Sequence, residues 1–124
     1  MTVHTSQLGN LSSELSIGDG PASLVLKGQA DLRDSTPLAD SLRKVHQELS
    51  NARTTAIVVD LTQVEFMNST ALGAFATWAA ELVKLPREQR YRVTLKGSLA
   101  RRWQRGSLHA LASLVPDAIE VQFS

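Results

Sequence analysis

Three consecutive polar residues, Asn68, Ser69 and Thr70, carry the side chains in this sequence whose position best suits chemistry. They follow a hydrophobic segment and directly precede a stretch with the apolar spacing of a helix. The first amide groups of a helix lack partners within it and lie at the positive end of its dipole, so they attract hydrogen-bond acceptors and anions. We therefore expect Asn68 or Ser69 to cap the helix.

A phosphate on Ser69 would carry about −1.5 to −2 charges at neutral pH and could be held by the same amides. Phosphorylation would then cost the fold little stability, whereas a partner protein covering this position would be displaced by the added charge and hydration. The position therefore suits a binding switch. A plain helix cap without a regulatory role is the alternative interpretation.

The elements that must position this joint follow from hydrophobic periodicity and turn residues. Residues 1–10 are polar and predict a flexible arm, and residues 11–124 predict one folded domain. Alternating strands and helices predict an α/β fold with right-handed crossovers, in which helices pack on a mixed sheet of about five strands. The predicted order is ββαβαβαβ, with strands at 14–17 and 22–27, a helix at 37–51, a strand at 54–60, a loop at 61–65, a helix from 69 to 85, a strand at 90–96, a helix capped near 98 and interrupted at 106, and a strand at 119–123.

Composition excludes several classes of function. The 124 residues have a net charge of +1, which argues against direct binding to a nucleic-acid backbone. The absence of cysteine excludes disulfides and thiolate chemistry. No apolar run approaches the roughly 20 residues that span a bilayer, and the N-terminus lacks a signal-peptide pattern. We expect a cytoplasmic protein that does not insert into a membrane.

The sequence also lacks the motifs of an enzyme. Its histidines, His4, His46 and His109, are scattered and show no metal-ligand spacing. Asp60, at the end of a predicted strand, is expected to bind loop amides. There is no P-loop and no G-x-S-x-G around Ser69. We predict no enzymatic activity, no cofactor and no metal; an unrecognised enzyme or ligand binder is the least favoured hypothesis.

Residues 60–73 read D-L-T-Q-V-E-F-M-N-S-T-A-L-G. This run resembles the signature D-L-x-x-V-x-F-[ML]-D-S-[ST]-G-[LI]-G of the STAS domain, shared by bacterial anti-sigma-factor antagonists and sulfate transporters. The segment G-Q-A-D at 28–31 is similar to the G-E-[LI]-D of the same family. With the predicted element order, the resemblance extends over residues 11–123 and implies a single STAS domain.

The resemblance also implies a function. In antagonists of this family, a partner kinase phosphorylates the serine that matches Ser69, with Thr70 as the alternative site here, and a phosphatase reverses the modification. The chain would then be a partner-switching regulator of transcription that binds a serine kinase or anti-sigma factor. The implied contact residues are Gln29, Asp31, Met67, Asn68, Ser69, Thr70, Leu72 and Trp78.

Asn68 stands where the family usually has Asp, Ala71 where it has Gly, and Gln29 where it has Glu. The loss of two carboxylates favours a second hypothesis. The domain would be a non-phosphorylated scaffold subunit of a lipid-transport or stress-signalling complex.

Three questions stay open from the sequence. Trp78 could be an exposed interface anchor or cover the margin of the core. The basic cluster formed by Arg101, Arg102 and Arg105 could contact an acidic partner or be a solvated helix face with Trp103 turned inward. The early strands could also offer a free sheet edge for a homodimer.

Overall fold

The computed structural model describes residues 2–124. Six strands form one sheet in the order β1-β2-β3-β4-β5-β6. The first three strands are antiparallel, and β3 to β6 are parallel. The elements are β1 (Thr2–Leu8), β2 (Leu11–Ile17), β3 (Ala22–Ala30), α1 (Thr36–Asn51), β4 (Ala56–Met67), α2 (Ser69–Val83), a short 3-10 turn (Arg87–Gln89), β5 (Arg92–Gly97), α3 (Arg102–Ala112) and β6 (Ile119–Phe123).

The core lies on one face of this sheet. In β2 to β5 buried side chains alternate with exposed or half-exposed ones, as expected when only one face is covered. The apolar stripes of the three helices join the inward side chains of the strands in one cluster. The fold is a single α/β domain with a mixed sheet, as predicted.

The segment expected to be a flexible arm instead forms β1, which raises the strand count from about five to six. Every residue of β1 has a partner in β2 across an antiparallel pair. Six of its seven side chains are exposed, and the seventh is half-buried. This strand therefore has no hydrophobic alternation by which the sequence could reveal it.

Strand β4 is also longer than predicted, because the expected loop at 61–65 continues it up to Met67. Pairing with β3 persists through two register shifts and ends with Ala30 opposite Met67. Gly28 is required beside the second shift, since its φ is +108° and a Cβ there would lie 2.1 Å from the Asn10 carbonyl oxygen.

The predicted start of α2 at Ser69 is confirmed. Helix α1 contains Pro37 in its first turn and ends at Asn51, as expected. Helix α3 differs: it begins at Arg102, not near Ser98, and runs through Gly106 without a break.

Candidate functional site

The candidate site is the start of α2, where β4 ends. Asn68 is the N-cap, with extended backbone angles, and its Oδ1 accepts a hydrogen bond from the Ala71 amide at 3.0 Å. Its carbonyl oxygen accepts from the Leu72 amide at 3.0 Å. Of the two residues predicted to cap, Asn68 does so, and Ser69 begins the helix proper.

The other half of the Asn68 side chain ties α2 to the segment after β3. Its Nδ2 donates to the Leu32 carbonyl at 2.8 Å and to Asp31 Oδ1 at 3.1 Å. The Asn68 amide donates to the Ala30 carbonyl at 3.0 Å. An aspartate at this position could still cap the helix, but it could not donate these side-chain bonds and would face the Asp31 carboxylate.

Ser69 is exposed and Thr70 is half-buried in the first turn of α2. Neither hydroxyl takes part in the side-chain hydrogen bonds found among residues 2–124. Because Asn68 already caps the helix, the fold does not depend on the Ser69 hydroxyl. That hydroxyl is therefore free to be modified or contacted.

The predicted contact residues separate into two groups. Gln29 and Asp31 are exposed beside the start of α2, where Gln29 Nε2 lies 3.3 Å from Glu65 Oε2. Leu72 is half-buried one turn after Ser69. Met67, however, is only 6% exposed and belongs to the core. The structure thus brings six of the eight together at the surface.

Trp78 is the second predicted contact residue that is buried in the structure, with 6% of its surface exposed. Its Nε1 donates to the Tyr91 hydroxyl at 2.7 Å, and that hydroxyl lies 2.6 Å from His46 Nδ1. Burial raises the pKa of Tyr91, so its hydroxyl remains protonated. Burial also lowers the pKa of His46, while nearby Glu81 opposes that effect. Of the two interpretations of Trp78, the structure supports a place in the core.

Phe66 is a surface residue that sequence reasoning missed. Its side chain is 46% exposed, two residues before the cap. Strict alternation along β4 breaks here, because Glu65 and Phe66 are both exposed between buried Val64 and Met67. The register shift that causes this break lies in the pairing with β3, and the sequence of β4 alone carries no signal for it.

A groove between α2 and α3 continues from the site. Small residues, Gly73, Ala76 and Gly106, keep it open, and Leu72 and Leu114 supply apolar surface. Leu114 is 50% exposed. The start of α2 is therefore continuous with an apolar surface that passes between two helices.

The basic cluster at the start of α3 is only partly available for a partner. Arg101 Nε donates to the Thr62 carbonyl at 3.1 Å, and the half-buried Trp103 donates through Nε1 to the Glu65 carbonyl at 3.0 Å. Arg102 and Arg105 are exposed and form none of the ion pairs found in the described chain. Arg102 lines the same groove as Leu72.

Buried Gln104 is a residue of structural importance that the sequence did not reveal. Its Oε1 accepts from the Ser98 amide at 2.7 Å, and its Nε2 donates to the Leu61 and Val64 carbonyls at 2.7 and 3.2 Å. Its side chain thus fixes the start of α3 to β4 at positions where the strand ladder is irregular.

Asp60 bonds to the chain that follows it, as the sequence predicted. Its Oδ1 accepts from the amide and the hydroxyl of Thr62 at 2.9 and 2.6 Å. Within residues 2–124, no group of three or more His, Asp or Glu side chains is placed to hold a metal ion. In the same part of the chain, no helix is both long and apolar enough to cross a membrane.

Comparison with known proteins agrees with this geometry. The family model described as "Mlab, STAS domain" matches residues 13–97, from β2 to the end of β5, and so includes the whole start of α2. The chain belongs to this STAS family. A search of the curated proteins finds no significant match to this chain.

Among solved structures, an anti-sigma factor antagonist from Mycobacterium paratuberculosis is similar in fold, with a TM-score of 0.61. The two share 20% sequence identity, and the alignment covers 86% of this chain and 83% of the other chain. At this identity the likeness concerns the fold.

Proposed function

We propose that this STAS domain is a non-enzymatic, cytoplasmic regulator that binds a protein partner through the start of α2 and releases it when Ser69 is phosphorylated. The partner would be a serine kinase or an anti-sigma factor, with a phosphatase restoring binding. The observation that carries the proposal is the exposed Ser69 hydroxyl on a helix that Asn68 caps. Modification of Ser69 would leave the bonds that hold the helix start intact.

Electrostatics at this position favour the phosphorylated form of the folded domain. A phosphate on the first residue of α2 would lie beside the free amides of the first turn and the positive end of the dipole. A partner docked over Ser69 would disfavour this phosphate, since burying a doubly charged group without a matching cation is unfavourable. The modification would therefore weaken binding without weakening the fold.

The surface around Ser69 suits a protein more than a small ligand. Phe66 and Leu72 supply apolar area on either side of the cap, and the open groove between α2 and α3 extends it. Interfaces combine such an apolar centre with a polar rim. Gln29, Asp31 and Arg102 would form part of that rim.

A scaffold that binds its partner through the same surface without phosphorylation is the second candidate. The bonding of Asn68 favours it, because both the oxygen and the nitrogen of its side-chain amide are occupied, and the residue that precedes Ser69 in the chain carries no carboxylate. If an acidic side chain at position 68 is needed to assist a kinase, this chain lacks it.

Intact-mass spectrometry separates the two candidates. The domain is incubated with ATP and an extract of the cells that naturally produce it. The switch predicts one added phosphate that disappears in Ser69→Ala and persists in Thr77→Ala, an exposed hydroxyl on the same helix. Absence of the phosphate from the wild type would overturn the switch and leave the scaffold.

A binding assay with the partner isolated from the same cells tests the surface itself. We expect Phe66→Ala and Ser69→Asp to weaken capture of that partner, while Thr77→Asp leaves it unchanged. If Ser69→Asp binds as tightly as the wild type and Phe66→Ala does not, the scaffold interpretation holds. Full binding by both variants would exclude this surface as the interface.

A further inference from the structure

Strand β1 forms one edge of the sheet and leaves a row of backbone groups without a partner strand. Strand β1 is the first in the sheet order and pairs only with β2. Its sequence, T-V-H-T-S-Q-L, contains no Lys, Arg, Asp, Glu or Pro, the residues that usually protect an edge from pairing with another chain. Val3 is 51% exposed on it.

The hairpin fixes which backbone groups point outward. Leu8 and Leu11 flank a two-residue turn whose first residue, Gly9, has a φ of +64°. The pair that closes such a hairpin exchanges both of its hydrogen bonds, and every second pair along the ladder does the same. The amide and carbonyl groups of Val3, Thr5 and Gln7 therefore point away from β2.

The outward amide and carbonyl groups of one β1 strand can pair with the same groups of a second, antiparallel β1 strand. We propose that β1 pairs antiparallel with β1 of a second copy of this chain, about a two-fold axis at Thr5. Thr5 then faces Thr5, and Val3 faces Gln7, with two hydrogen bonds for each of the three facing pairs. Every outward group finds a partner, and no two like charges face each other across the strands.

The opposite edge of the sheet offers no such match. Strand β6 is shorter, with five residues, and carries an acidic residue, Glu120. Pro116 and Asp117 lie shortly before it, and Asp117 accepts a hydrogen bond from Arg90 at 2.9 Å. A charged side chain on a short edge strand disfavours pairing with a second copy. This contrast places the self-association at β1.

Pairing at β1 would leave the start of α2 uncovered. Strands β1 and β4 are separated by β2 and β3, so they are roughly 14 Å apart across the sheet. A dimer would join two sheets into one and present two partner-binding surfaces. Linked surfaces raise the apparent affinity for a partner that is itself multivalent.

Single cysteines test both the contact and its register, because the chain has none of its own. In the proposed pairing the two copies of residue 5 lie about 5.5 Å apart between Cα atoms, within reach of a disulfide. The two copies of residue 3 would be about 14 Å apart, because they are offset by four residues along the strands as well as across them. Under mild oxidation Thr5→Cys should therefore form disulfide dimers at least tenfold faster than Val3→Cys, as measured on non-reducing gels. Equal rates, or no dimer from either variant, would overturn the proposal.

Sedimentation velocity measures the association directly. The wild type should dimerise as its concentration rises from about 1 µM to 1 mM, and Thr5→Pro should remain monomeric. Proline removes only an outward amide here, so the hairpin with β2 keeps its bonds. Thr5→Val should dimerise like the wild type. If Thr5→Pro fails to fold by circular dichroism, Thr5→Lys takes its place, because it sets like charges opposite each other. A wild type that is monomeric throughout contradicts the inference.

Discussion

Helices α2 and α3 both begin beyond the carboxyl ends of parallel strands, β4 and β5. Their starts, however, are held in different ways. Asn68 caps α2 from the surface and leaves the hydroxyl next to it free. Arg101, the N-cap of α3, makes no capping bond with its side chain. The buried Gln104 holds this helix start from beneath instead.

The difference shows what each start can do. A start held from inside the core has its polar groups committed, so changing them changes the stability of the fold. A start held by a single surface residue can present its neighbours to another molecule. Changes at α3 should therefore act on folding, and changes at Ser69 on binding.

Gln104→Ala should be the most destabilising change. It removes the side chain that bonds to the Ser98 amide and to the Leu61 and Val64 carbonyls, and it leaves a cavity beside them. Unpaired buried groups cost about 1–3 kcal/mol each when water cannot replace the partner. We expect a loss of about 3 kcal/mol in the free energy of unfolding, measured in urea. The exposed neighbour Arg105→Ala should change it by less than about 0.5 kcal/mol.

Asn68→Ala should cost less, about 1–2 kcal/mol, because a cap and two tethers are lost at a site that water can reach. The urea midpoint should fall accordingly. A loss as large as that of Gln104→Ala would contradict the contrast between the two starts.

A pair of substitutions sharpens the same comparison. Asn68→Asp keeps the cap but places a carboxylate next to Asp31, 3.1 Å from the present amide. The variant should be less stable than the wild type at pH 7. Adding Asp31→Asn restores the hydrogen bond between these two side chains, with the donor now at position 31 and the acceptor at position 68. The double variant should therefore recover part of the stability. Strict additivity of the two changes would show that these side chains do not interact.

The two starts also explain how far the sequence could predict this molecule. The helix at Ser69 was predictable, because its N-cap follows a β-rich run and precedes an apolar stripe. Gln104 was not, since a glutamine within a helix is normally exposed and only the folded chain reveals three backbone partners. The same reason applies to β1 and Phe66, whose positions depend on strand pairing and register. Local patterns thus predicted most of the elements, while contacts between distant segments decided the extent of the strands and which residues are buried.

His46 on α1, which is linked to Trp78 of α2 through the Tyr91 hydroxyl, provides a test by pH. Since burial lowers the pKa of His46, the folded state binds fewer protons than the unfolded state. The free energy of unfolding should be highest above the unfolded pKa of about 6.5, fall as the pH drops through it, and level off below the folded pKa. The loss should be smaller than that of Asn68→Ala, because His46 is only partly buried and Glu81 offsets part of the effect.

Urea titrations at pH 5 and pH 7.5 measure this loss. His46→Gln can still accept a hydrogen bond from Tyr91 and should flatten the dependence. An unchanged slope in His46→Gln would mean that another group is responsible.

Ser69→Ala should have the smallest effect on stability, within about 0.5 kcal/mol, because its hydroxyl makes no bond that the fold requires. Ser69→Asp should even stabilise the domain by about 0.3–1 kcal/mol, since a negative charge in the first turn interacts favourably with the helix dipole. Thermal melts of both variants against Thr77→Asp, a matched charge on the later part of α2, would separate the dipole effect from a general charge effect. If Ser69→Ala instead destabilised the domain as much as Asn68→Ala does, the serine would be part of the cap. The start of α2 would then resemble that of α3, with no hydroxyl free to act as a switch.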